Sequence, residues 1–365
     1  MIIYIHIPFC HRICPYCSFY KHTPGDTDQQ AFIQAILAEA NRAADLLSAD
    51  LDITTLYLGG GTPSMLSPSH LSELFRGLHE TLPLENTHIT LEANPATFGT
   101  RKAELFRSIG VNRVSLGIQS FNDKVLHTLG REHNADEASE SVQLLQNTGM
   151  DEVNIDLMFS VPEQTMDTWQ HTVETAVHLQ PDHISAYNLT YEEDTEFIDR
   201  LTRGEYAENE DTNADMFTLA HDTLTAAGFH HYETSNYARP GKESQHNLAY
   251  WHGEDYLGLG PSAVSTVNGT RWKNLPDTKQ YIDAIESLGH AKSDEEIIDS
   301  DAYRIERIAL LLRTTDGLPE QYLAASPDGS VDNILDSKLA ELQNGKLRLI
   351  NDGPLLVDSI AAQLV

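Results

Sequence analysis

Two periodicities alternate along the first half of the chain. Ile2–Ile7, Thr54–Leu58, His88–Glu92, Arg113–Ile118, Glu152–Phe159 and Asp182–Leu189 have the length and apolar content of strands. Between them, apolar positions recur three or four residues apart, as on one face of a helix. Phe32, Ile36, Ala40, Ala43 and Leu47 form one such stripe. Leu71, Leu74, Phe75 and Leu78 form another, behind a Ser67 cap with Pro68 in the first helical position. A third helix is predicted from about Ala135 to a stop at Gly149, and a fourth carries Trp169, Val173, Ala176 and Val177 and ends before Pro181. Consecutive strand–helix units predict an α/β fold with a parallel sheet and right-handed crossovers, either open and doubly wound or curled into a barrel.

After about Asp299 the pattern changes. Tyr303–Arg313 and Ile334–Leu342 read as helices. Leu347–Ile350 and Pro354–Val357, joined around Asn351-Asp352-Gly353, read as a hairpin. The chain is expected to divide into residues 1–230, 231–298 and 299–365.

Polar and glycine residues gather where the predicted strands end. The first strand runs into Cys10, Cys14 and Cys17, and the second into Gly59-Gly60-Gly61-Thr62-Pro63. The third ends at Glu92-Ala93-Asn94-Pro95, the fourth at Gln119-Ser120-Phe121, and the fifth carries Asp156. Parallel α/β barrels build their active sites at that edge, so a single ligand site is expected there. The glycines lack the lysine of a phosphate-binding loop and the spacing of a dinucleotide fingerprint. They permit either a tight turn or close backbone approach to a ligand. Glu92, Asp156 and Arg131 suit a zwitterionic ligand that also carries ribose hydroxyls.

The three cysteines are the only ones in the chain. An odd count with no leader-like segment argues against a disulfide framework. Three thiolates are one short of the four that complete a structural zinc site or an iron–sulfur cluster. The run either borrows an imidazole from His6, His11 or His22 as a zinc site, or leaves one iron of a cluster open to a small molecule. Acidic residues outnumber basic ones 55 to 24, for a formal charge of −31. Such a surface repels phosphate backbones and argues against nucleic acid as a partner. No apolar run approaches the roughly eighteen residues that span a bilayer, and the expected compartment is the cytoplasm, where thiols stay reduced.

Cys-x3-Cys-x2-Cys after a first strand, with Gly-Gly-Gly-Thr-Pro after the second, resembles the radical S-adenosylmethionine (SAM) superfamily. That resemblance implies a partial (β/α)6 barrel over residues 1–230 and a [4Fe-4S] cluster on Cys10, Cys14 and Cys17, with its fourth iron open to SAM. Tyr4-Ile5-His6-Ile7-Pro8-Phe9-Cys10, Leu116-Gly117-Ile118-Gln119-Ser120-Phe121 and Asn154-Ile155-Asp156-Leu157 are similar to the oxygen-independent coproporphyrinogen III dehydrogenase group. On that likeness Tyr4, Tyr16, Gly60, Gly61, Thr62, Glu92, Gln119, Arg131, Asp156 and Thr190 fall on SAM-contacting positions.

Within the group, His246-Asn247-Leu248-Ala249-Tyr250-Trp251, followed by Gly258-Leu259-Gly260-Pro261-Ser262-Ala263, resembles the heme chaperone branch of HemW type. An imidazole is a good heme-iron ligand and flanking aromatics suit a porphyrin face, so His246, Tyr250 and Trp251 are candidate heme residues. Residues 231–298 would carry this motif, and the implied partners are heme and client hemoproteins, with peripheral membrane contact during transfer. The dehydrogenase itself is the second reading and a tetrapyrrole-modifying methyltransferase the third. The dehydrogenase carries an extension ahead of the cluster strand and a further cysteine two residues after the third ligand. Here the chain begins three residues before Tyr4, and Ser18-Phe19 follows Cys17. Ser160 and Glu163 stand where relatives often carry glycine. Residues 299–365 resemble the group's small winged-helix-like C-terminal domain. They lack a basic stripe, so a cover or partner surface is expected rather than a DNA reader.

Overall fold

The structure is a computed structural model that describes residues 1–46 and 52–365. Leu47, the last position of the first predicted helical stripe, lies outside them. The alternation in the first half yields β1 (Ile2–Ile7), β2 (Thr55–Gly60), β3 (His88–Ala93), β4 (Arg113–Gln119), β5 (Glu152–Phe159) and β6 (His183–Asn188). These six lie side by side in chain order and are all parallel.

One face of this sheet packs against the returning helices. Ile3, Ile5, Leu56, Leu58, Leu91, Val114, Leu116, Val153 and Ile155 meet there in one buried cluster. The Pro68–Thr81 helix starts where Ser67 Oγ accepts from the His70 backbone N–H at 3.1 Å, and it buries Leu71, Leu74, Phe75 and Leu78. Because strand side chains alternate between faces, the other face carries Tyr57, Glu92, Ser115, Asn154 and Asp156, and these line an internal cavity. The same period of two thus builds both the core and the site.

The sheet continues past both ends of the parallel block. β7 (His230–Glu233) and β8 (Asn236–Ala238) add antiparallel beyond β6. On the other side β9 (Tyr256–Leu259) pairs parallel with β1, followed by antiparallel β10 (Val264–Val267), β11 (Thr270–Asn274) and β12 (Lys292–Ile297). Among the described residues this twelve-stranded sheet keeps edges at β7 and β12, so it forms an open, partial barrel.

A second core gathers Ile308, Leu312, Leu318, Ile334, Leu347, Ile360 and Leu364. Here the predicted elements are corrected. The first helix spans Ser300–Leu311, and the second, Ser330–Asp336, stops well before Leu342. The hairpin is β14 (Ala340–Gln343) with β15 (Lys346–Leu349), flanked by β13 (Leu318–Pro319). Its turn is Asn344-Gly345, with φ of 54° and 74°, the doubly positive backbone that a two-residue hairpin turn requires. Pro354–Val357 is no strand: a 3₁₀ turn at Gly353–Leu356 leads into the Val357–Leu364 helix.

Candidate functional site

β1 delivers the chain to Pro8, and the cysteine loop then closes on itself. Cys10 N–H donates to His22 O at 3.0 Å and His22 N–H to Pro8 O at 2.9 Å. The glycine run after β2 clamps this loop, with Gly61 N–H donating to Ile7 O at 2.7 Å and Thr62 N–H to Phe9 O at 2.8 Å. A Cβ on Gly61 would lie 2.7 Å from Phe9 O, and one on Gly60 would enter the His6 ring. The close approach that these glycines permit is therefore first to the chain's own cysteine loop.

Cys10, Cys14 and Cys17 are free thiols, each half-buried, at the edge of a cavity of about 570 Å³. Burial pushes the Cys10 thiol up to about 11 and raises Cys17 as well, so these sulfurs would need a bound cation to give up their protons and act as ligands. His6 is bonded to Tyr20 O at 2.7 Å, His22 to Thr278 Oγ1 at 2.8 Å and His11 to Glu132 at 2.9 Å. Each imidazole that a zinc site would borrow is thus turned onto another partner. Among the described residues no three His, Cys, Asp or Glu are gathered around a point that suits one metal ion. The three thiols without a fourth protein ligand fit a cluster, whose separate irons spread their sulfur ligands, better than they fit zinc.

Tyr16, Gly60, Gly61, Thr62, Glu92, Gln119, Arg131, Asp156 and Thr190 line the same cavity as the cysteines. Thr62 Oγ1 lies 3.8 Å from Cys10 Sγ and accepts from Asn94 Nδ2 at 3.0 Å. Arg131 donates to Asn94 Oδ1 and the Gly117 carbonyl, and its Nη1 sits 3.7 Å from Cys14 Sγ. Tyr16 packs beside it, 6.1 Å from the Phe197 ring. Glu92 accepts from Tyr57 Oη at 2.8 Å and from Gly60 N–H at 3.2 Å. Burial, helped by the Asp156 charge, nevertheless pushes its carboxyl up to about 7. Asp156 accepts from Asn154 Nδ2 at 2.7 Å and Ser115 Oγ at 3.1 Å, and burial raises it too. Gln119 holds φ of 70° at the end of β4, and its Oε1 accepts from Tyr187 Oη at 2.6 Å. A left-handed non-glycine residue on a cavity wall is the kind of local strain found at ligand sites. Tyr4 stands behind the wall, its hydroxyl hydrogen-bonded to His6 Nδ1 at 3.0 Å.

The proposed heme residues separate. Ser244 caps the Gln245–His252 helix by accepting from Asn247 N–H at 3.3 Å. His246 is 4 % exposed, bonded through Nδ1 to Thr55 Oγ1 at 2.6 Å and stacked on Tyr57 with centroids 4.8 Å apart. Its Nε2 has no hydrogen-bond partner. Burial, with a smaller push from His88, lowers its pKa to about 3 and keeps the ring neutral. Tyr250 stands edge-on to His246 at 5.0 Å and to Tyr256 at 4.7 Å. Of the three, Trp251 alone lines the cavity.

Other cavity residues were not among the expected ligand positions. Asn154, Ser115, Arg113 and Ser185 come from inward positions of the parallel strands, and Glu233 and Asn236 from β7 and β8. Below Asp156, Glu152 meets Arg113 at 3.3 Å, Lys242 at 3.3 Å and His88 at 3.6 Å. Inward placement two residues apart on one strand is the signal that links Glu152, Asn154 and Asp156. Tyr232 on β7 ties neighbouring segments together: its Oη is bonded to His183 Nε2 at 2.7 Å and accepts from Ser244 N–H at 3.1 Å. Ser160 and Glu163 both adopt positive φ, 62° and 65°, the backbone region that glycine enters most readily.

Residues 4–176 match the family described as the radical SAM superfamily. The chain is 35% identical over 352 residues to the heme chaperone HemW of Lactococcus lactis subsp. lactis (strain IL1403), covering 96% of this chain and 90% of that one. The HemW of Bacillus subtilis (strain 168) is 33% identical over 343 residues, covering 93% and 90%. The chain belongs to the HemW family of radical SAM proteins. The coproporphyrinogen III oxidase HemN of Escherichia coli, a radical SAM enzyme, superposes with a TM-score of 0.86 over 99% of this chain and 89% of its own, at 22% identity. That likeness establishes the radical SAM fold. Membership in the family implies a [4Fe-4S] cluster and SAM. No helix among the described residues is long and apolar enough to cross a membrane.

Proposed function

We propose that this chain is a cytoplasmic heme chaperone, which holds heme and passes it to client hemoproteins from a [4Fe-4S] and SAM-binding scaffold. The observation that carries the reading is His246, a neutral imidazole whose Nε2 is left without a partner on the same helix as Trp251. An unprotonated ring nitrogen is what heme iron takes as an axial ligand. Because the ring is enclosed, heme capture would need the Gln245–His252 helix to ease away from β2, with Thr55 releasing Nδ1.

Cys10, Cys14 and Cys17 would hold the cluster, and Tyr4, Tyr16, Gly60, Gly61, Thr62, Glu92, Gln119, Arg131, Asp156 and Thr190 would surround SAM. A bound cluster with SAM supplies one-electron chemistry at a sulfonium centre. The chain's own part is positional: Arg131 fixes the Cys14 side of the loop, and Glu92 and Asp156 offer acceptors to hydroxyl and amine groups. Tyr4 would act through His6, which it steadies. Residues 299–365 would serve as cover or partner surface, and contact with a membrane would be peripheral.

The test is hemin titration of the anaerobically reconstituted protein, followed by transfer to an apo-hemoprotein. The parent is expected to bind hemin and release it to the acceptor. His246→Ala should weaken hemin binding while the iron–sulfur absorbance stays; equal affinity in both would remove His246 from the site. The same preparation is incubated with SAM, reductant and coproporphyrinogen III. Decarboxylated product over many turnovers would move the protein to the dehydrogenase class.

A further inference from the structure

Three buried carboxylates face the cavity, and two are met by donors: Glu92 by Tyr57 and Gly60, Asp156 by Asn154 and Ser115. Glu233 is different. It ends β7, is 1 % exposed, and neither carboxylate oxygen has a hydrogen-bond partner. Beside it, Asn236 Oδ1 and Trp251 Nε1 are also buried without partners. Burial pushes the Glu233 carboxyl up to about 7, and this is only partly offset by donor contacts from Asn236, the Ser235 N–H and Trp251, which fall short of good hydrogen-bond geometry, and by the Arg313 charge. Arg313 leans toward the Trp251 ring, 6.0 Å from its centroid, and forms its ion pair with Asp358 instead.

A buried carboxylate without a well-aligned donor is costly and is relieved by any ligand that brings one. We propose that Glu233, Asn236 and Trp251 form a second binding subsite in this cavity, one that takes the nitrogen-centred cation of an organic ligand, an ammonium or amidinium group. The chemistry of the wall selects that class. Two carboxylate oxygens and an amide oxygen are acceptors for clustered N–H donors, and charge-assisted bonds of this type are the strong ones. An indole adds a face for a cation or a flat ring. A carboxylate or phosphate ligand would meet repulsion here. None of the expected SAM positions falls on Glu233, Asn236 or Trp251, so the subsite is an addition to that set. It rests on the SAM reading in placing its ligand beside SAM, and it shares Trp251 with the heme reading.

Benzamidine, a flat amidinium, is the probe, and benzyl alcohol is the uncharged control. Calorimetric titrations use the full reconstituted chain with and without saturating SAM. The expected result is saturable benzamidine binding that SAM does not displace and benzyl alcohol does not reproduce. Glu233→Gln, which keeps the size of the side chain, should weaken it about ten- to hundredfold, the loss of one charge-assisted contact. Trp251→Phe should weaken it with Glu233 intact, which keeps the test alive if Glu233→Gln fails to fold. No binding to the parent, equal affinity in Glu233→Gln, or displacement by SAM would overturn the proposal. SAM affinity and cluster absorbance are measured on the same samples. If those fail while benzamidine binding survives, the cofactor assignment falls and the subsite stands.

Discussion

Gly61→Ala isolates the clamp between the glycine run and the cysteine loop. The added Cβ would lie 2.7 Å from Phe9 O, 2.8 Å from the Pro8 carbonyl carbon and 2.9 Å from Ile7 O. Comfortable separations of such atoms are about 3.5 Å, so the loop has to retreat by roughly 0.6–0.8 Å. All three atoms are backbone, and no rotamer change relieves them. The retreat also stretches the bonds from Gly61 N–H to Ile7 O and from Thr62 N–H to Phe9 O. Overpacking of this kind costs about 1–3 kcal/mol, and each weakened bond adds about 0.5–1.5 kcal/mol. The sum over the overpacking and the two weakened bonds, about 2–6 kcal/mol, acts on the segment that carries Cys10. The assay is iron content and iron–sulfur absorbance per chain after anaerobic reconstitution, beside a melting curve of the metal-free protein. Gly99→Ala is the control, since nothing lies within 4 Å of a Cβ there. Gly61→Ala should lower both the melting temperature and the cluster occupancy, with Gly99→Ala near the parent. A Gly61→Ala protein that melts and loads iron like its parent would refute the reasoning.

Two further substitutions probe the thiols and the ion cluster beneath them. Cys14→Ala should abolish the iron–sulfur absorbance after reconstitution, whereas an unchanged spectrum would remove Cys14 from the ligands. Burial alone would raise Glu152, but His88, Arg113 and Lys242 outweigh it and bring the carboxyl from 4.5 down to about 2. A depressed folded pKa stabilises above the unfolded value, and that contribution is lost as pH falls from about 4.5 to about 2. It amounts to about 2 kcal/mol after allowance for solvent screening of a partly exposed group. Denaturant melts should therefore separate the parent from Glu152→Gln by about that amount at pH 7, with the two curves converging toward pH 2. A gap that is constant across this range would show that the ion cluster is not its source.

The parallel block was legible because it rests on local signals. Alternation in β1 to β5 marks both the buried face and the inward residues, and helical stripes with caps such as Ser67 mark the returns. Most expected ligand positions line one cavity because they stand at strand ends, which adjacent parallel pairing brings together. What the sequence hid is set by contacts between distant segments. His246 is ordinary in its own stretch; its burial follows from Thr55, 191 residues earlier. Glu233 sits on a four-residue strand too short for a period to show, and its lack of a donor is a property of the packed wall. In the C-terminal segment, the apolar spacing from Ile334 to Leu342 looked helical, and Asn351-Asp352-Gly353 looked like the hairpin turn, which lies instead at Asn344-Gly345.

The pairing of β1 sets the order of events during synthesis. Its first edge is completed by Thr55–Gly60, but the second waits for Tyr256–Leu259, about two hundred residues later in translation. Until that stretch leaves the ribosome, the strand that leads into Cys10 is an open edge, a template for pairing with other nascent chains. If Cys10, Cys14 and Cys17 hold the proposed cluster, its loading would follow the docking of this last parallel strand. Nascent fragments that stop short of Leu259 would keep that edge exposed and tend to pair with one another through it.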